Sequence, residues 1–198
     1  MRIRTLPLAT VALTATLLLA GCSASTDDGM PGMDHGTTSD SPSSSAAPDA
    51  NAADEMFVQM MIPHHEQAIE MSDLILGKDG IDARVIELAQ QIKDAQGPEI
   101  DTMTGWLKDW GVASGTAHHM ADDGMMSAED MAVLDAATGT ESARLFLDGM
   151  IAHHEGAISM AEAEIANGQN PDVTGLAQRV IDGQGAEITT MKNILDSL

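Results

Sequence analysis

Apolar residues recur at a helical period from about residue 54 to the end of the chain. Phe57, Met60, Met61, His64, Ala68, Met71 and Ile75 fall within a narrow arc when successive residues are set ~100° apart. Val85, Leu88, Ile92, Ile100, Met103 and Leu107 repeat with similar spacing across 81–110, and Gly77 and Gly80 bracket the turn between these two helices. Ser127 with Asp130 has the form of a capping box, opening a short helix through Ala137. The pattern predicts a third long helix over about 141–166. Asn170-Pro171 reads as the cap and first-turn proline of a last one. No stretch alternates convincingly as a strand.

The apolar pattern is also written twice. Met61-Ile62-Pro63-His64-His65-Glu66 is answered by Met150-Ile151-Ala152-His153-His154-Glu155, and Phe57, Ala68, Ile69 and Met71 by Phe146, Ala157, Ile158 and Met160. In the second helix of each half, Gln96, Glu99, Ile100 and Met103 are answered by Gln184, Glu187, Ile188 and Met191. The chain therefore reads as a duplicated helical hairpin, halves about 53–110 and 140–198, joined by a longer linker that carries a short extra helix. Two hairpins burying their apolar stripes against each other predict an all-α, antiparallel four-helix bundle. Pro63 and Pro98 stand where the second half has Ala152 and Ala186, which predicts local bends in the first hairpin only.

The ends set a different context. Arg2 and Arg4, an apolar run from Leu6 to Leu19, and Leu19-Ala20-Gly21-Cys22 form a signal segment (1–21) that resembles a bacterial lipobox, with Cys22 the residue lipidated after cleavage. Residues 22–52 are rich in Ser, Thr, Asp, Pro and Gly and read as a disordered tether, the bundle domain occupying 53–198. Cys22 is the only cysteine, so the mature chain has no internal disulfide and any soft metal ligand is a Met thioether. The net charge is −22, and loss of Arg2 and Arg4 makes it −24. Such a chain repels nucleic acid and anionic lipid. These features predict an extracytoplasmic protein, touching the membrane only through its lipid.

Paired histidines among methionines at helical spacing are the candidate chemistry. On a helical wheel His64 lies amid the apolar arc with Met60, Met61 and Met71, while His65 lies ~100° away at its edge. Glu66 and Glu70 point to the opposite side. In the second half His153 lies between Met150 and Met160, with His154 at the edge. Imidazole and thioether together suit copper, as Cu(I) or Cu(II). The predicted ligands are His64, His65, Met60, Met61, Met71, His153, His154, Met150 and Met160. Gln96, Glu99, Gln184 and Glu187 are placed to orient the histidines or to make polar contacts between helices. The linker's His118, His119, Met120, Met125 and Met126 and the tether's Met30, Met33 and His35 are secondary candidates, able to capture copper outside the bundle. Gly149 stands where the first half has Met60, so the second half lacks one thioether.

With Phe57, the Met61–Glu66 run, Gln96-x-x-Glu99, Met125-Met126-Ser127 and the second His153-His154-Glu155 copy, the chain resembles the CopM-like family (domain of unknown function 305) over about 54–198. The resemblance implies a ferritin-like bundle, exported, binding copper through His and Met, in copper resistance or handling. Three readings remain. The leading one is a non-enzymatic lipoprotein that sequesters, buffers or transfers copper, with metal ions and another copper-handling protein as partners. The second is a ferritin-like di-iron redox enzyme, whose Glu-x-x-His ligand motif is absent here. The third is a structural or interaction module without metal. A homo-oligomer sharing a metal is compatible with the first. No catalytic residue is assigned: His-His-Glu is not a zinc-protease motif, and no nucleophile motif is present.

Overall fold

Nearly every helix starts at a residue that replaces a missing backbone partner. The computed structural model describes residues 50–113 and 123–198; Cys22, Met30, Met33, His35, His118, His119 and Met120 lie outside the described residues. Helix α1 (Ala52–Leu76) is opened by Asn51, whose side chain accepts from Ala53 and Asp54 N–H while Asp54 reaches back to the cap. Asp82 caps α2 (Ala83–Trp110), Ser127 caps α3 (Ala128–Ala136), and Asn170, with Pro171 following, caps α5 (Pro171–Leu195). Among the described helices only α4 (Gly139–Asn167) lacks a side-chain cap, at its Thr138. Both α1 and α2 continue through Pro63 and Pro98 without interruption. Gly111, at φ 71°, closes α2 in a conformation that a side chain would strain.

α1 packs along α2, α4 along α5, and the α1–α4 face joins the two pairs into a helical bundle. The start of α1 lies beside the end of α4, since Asn51 Nδ2 donates to the Asn167 carbonyl, so the two run antiparallel. α3 lies across one end of this face.

The apolar interior divides in two. One cluster gathers Met71, Ile75, Leu88, Phe146, Leu147 and Met150 with Leu134 of α3. The other gathers Phe57, Met61, Ile62, Met103, Leu107 and Leu176. Each burial of a side chain this size contributes about 1.5–3 kcal/mol. Along α1 and α4, the histidines fall between the residues of the two clusters.

Candidate metal centre

Four histidines and two glutamines are buried in this bundle: His64, His65, His153, His154, Gln96 and Gln184. Antiparallel packing of α1 on α4 brings the two copies of the motif face to face. The His64 and His153 rings stand 3.6 Å apart, centroid to centroid, tilted by 36°. His64 Nε2–H donates to the Asp123 carbonyl at 2.9 Å, which leaves Nδ1 as its lone-pair nitrogen. Among the described residues, neither ring nitrogen of His153 has a hydrogen-bond partner in good geometry, and the Nδ1 atoms of His64, His65 and His154 also lack one.

Burial, chiefly, lowers the His64 pKa to about 4 against the counteracting pull of the Asp123 carbonyl. Burial and then the neighbouring His64, His154 and His65 rings hold His153 well below the ordinary value. Both imidazoles are neutral at pH 7 and carry lone pairs, the form that ligates metal.

The wheel put His65 and His154 at the margin of the apolar face, and here it needs correction. Both are fully buried. His65 Nε2–H donates to Glu99 at 2.9 Å and His154 Nε2–H to Glu187 at 2.7 Å. A wheel treats one helix at a time; the neighbouring helix of each pair covers the edge. Glu66 and Glu70 are exposed, and so is Glu155.

The methionines separate by environment. Met61 and Met150 are fully buried, each in a different cluster. Met71 sits in the apolar cluster covered by α3, about 10 Å along the helix from His64. Its sequence counterpart Met160 is only half-buried and, with Met60, lines an open cleft of about 510 Å³ between α1 and α4. Met56, Phe57, Ser159 and Glu164 also line this cleft, as does Asp123, whose carbonyl accepts from His64. The difference has a cause in the packing. Leu134 of α3 joins Met71 and Phe146 at one end of the α1–α4 face, whereas the corresponding Phe57 and Met160 face a cleft at the other.

One placement could not be read from the sequence: the strap Asp123–Met126, whose methionines were candidates only as loop residues, lies along α4. A Cβ on Gly156 would overlap the Asp123 carbonyl, and a Cβ on Gly124 (φ 75°) would overlap the Ala152 carbonyl. A Cβ on Gly149 would come within 2.7 Å of Met126 Sδ. Gln67 holds the strap from α1, accepting from Met126 N–H at 2.8 Å and donating to the Met126 carbonyl at 2.9 Å. Gln67 and Gly156 occupy the same position of the repeat, so the signal available was the unlike pair itself. Met125 and Met126 were expected in a water-exposed loop; both are half-buried against the bundle.

Among the described residues no three His, Cys, Asp or Glu side chains converge as a ligand set.

Residues 54–195 match the family model described as Domain of unknown function (DUF305). Among curated proteins nothing matches the chain. A DUF305 fragment from Deinococcus radiodurans is 31% identical with a TM-score of 0.70, the match covering 75% of this chain and 99% of that one. A putative secreted DUF305 protein from Streptomyces coelicolor is 28% identical (TM-score 0.69; 73% and 93% covered). CopM in its Cu(I)-bound form is 30% identical (TM-score 0.63; 73% and 96% covered), and a Cu(II)-bound form is also similar.

Proposed function

The chain belongs to the DUF305 family, and from that premise we propose that it is a non-enzymatic, copper-binding lipoprotein outside the cytoplasm, which sequesters, buffers or passes on copper. The observation that carries this reading is the His64–His153 pair. Two neutral imidazoles lie 3.6 Å apart in the core, with three of their four ring nitrogens unpartnered. An unsatisfied buried polar group costs about 1–3 kcal/mol. A copper ion bound by both rings supplies the missing partner. The copper-bound forms of CopM support the same cargo here.

Copper is cargo in this reading, and no catalytic step is assigned. His64 Nδ1 and a ring nitrogen of His153 are the core ligands. His65 and His154 are braced by Glu99 and Glu187, which orients their rings. The cleft lined by Met60 and Met160 leads to Asp123 and provides the approach from solvent. Export and anchoring rest on the signal segment 1–21 and lipidation of Cys22; Cys22→Ser should release the protein from the membrane fraction. No helix among the described residues is long and apolar enough to cross a membrane.

The test is copper content after loading with Cu(I) or Cu(II) and desalting. Wild type retains copper, and the His64→Leu/His153→Leu variant loses the core equivalent. Full retention in that variant would remove the proposal.

A further inference from the structure

Resting on the copper reading above, we infer that Met126 of the linker is the thioether that the second half of the bundle lacks. It would make Met126 a ligand of the core copper site, delivered from outside the helix that carries His153.

The first half places Met60 one helical turn before His64. The second half has Gly149 one turn before His153. Residues four apart on a helix have Cβ atoms about 5–6 Å apart. The place that a side chain at 149 would fill is taken by Met126: its Sδ lies 2.7 Å, and its Cγ and Cε 3.4 Å, from where that Cβ would stand. The glycine is thus a notch for this side chain, and the sulfur sits at the helix position that Met60 occupies in the other half.

Three further features hold it there. Gln67 grips the Met126 backbone through both of its hydrogen-bonding groups. Gly124 lets the strap press against α4 beside His153, and Gly156 makes room for the Asp123 carbonyl. That carbonyl in turn accepts from His64. The strap therefore touches both histidines and positions one sulfur, as a preorganised ligand requires. His153 is the side chain that needs it: buried, with both ring nitrogens unpartnered. Thioether sulfur suits Cu(I) more than Cu(II), so the effect falls on the reduced ion.

Met126→Leu keeps the volume and apolarity of the packing and removes only the sulfur. Cu(I) affinity, measured by competition with a chromophoric Cu(I) chelator, should fall about tenfold or more, and X-ray absorption at the copper edge should lose one sulfur scatterer. Cu(II) retention should change less. The double variant Gly149→Met/Met126→Ala moves the thioether onto α4, as in the first half, and should recover both the affinity and the scatterer. Wild-type Cu(I) affinity and sulfur count in Met126→Leu would overturn the inference and leave the copper function standing. A wild-type protein that retains no copper would overturn both. A Met126→Leu variant that loses Cu(I) affinity while keeping its sulfur count would also refute ligation, since Met126 would then act only through packing.

Discussion

Gly156→Ala sets two physical effects against each other with opposite signs. On helix propensity alone, replacing a glycine inside α4 with alanine stabilises by about 0.8–1 kcal/mol. Packing reverses this. The new Cβ would overlap the Asp123 backbone carbonyl, which cannot swing away as a flexible side chain can. Relief requires lifting the strap, which breaks the His64–Asp123 hydrogen bond and the two Gln67–Met126 bonds. At about 1 kcal/mol net each, these three cost about 3 kcal/mol. Subtracting the propensity gain leaves a destabilisation of about 2 kcal/mol, or a Tm lower by about 4–8 °C for a domain of this size. Gly183→Ala is the control: it lies inside α5 with nothing within 4 Å of the added Cβ, and should gain stability. Thermal unfolding followed by circular dichroism measures both. If Gly156→Ala gains stability as Gly183→Ala does, the strap is not seated on α4 and does not hold His64 through Asp123.

Other outcomes follow from separate parts of the structure. His64→Leu/His153→Leu should be about as stable as wild type without copper, because relieving three unpartnered buried nitrogens offsets loss of the His64–Asp123 hydrogen bond, while copper no longer raises its Tm; a large loss of apo stability would refute this. Burial first, and the Asp54 carboxyl second, raise the Glu164 pKa from 4.5 to about 7. The folded state then holds a proton that the unfolded chain has released, so this contribution is complete below pH 4.5 and is lost as pH rises through about 7. The wild type minus Glu164→Gln difference in urea midpoint should therefore decline over that window; a flat difference would refute it. Asn51→Ala removes the α1 cap and the bond to Asn167, and should cost about 1–2 kcal/mol in urea unfolding without changing copper retention.

Local chemistry is what the sequence carries well. Helix starts at Ser127 and Asn170 were legible because a capping side chain acts within three residues. The pairing of His64 with His153 was legible because a repeated stripe has one way to bury itself twice. The deep burial of His65 and His154 was not, since a neighbouring helix supplies the cover. The same holds for Met71 and Met160: identical in the repeat, they differ because α3 covers one end of the α1–α4 face and leaves a cleft at the other. Gly149 read as a missing ligand, and only the seating of Met126 against α4 shows a sulfur lying in its place. Periodicity and caps depend on residues close in sequence, so the chain alone determined its helices and the polar residues in their core faces. Which nitrogens go unpartnered, which groove stays open and where Met126 lies depend on groups far apart in sequence, and only the tertiary packing decided them.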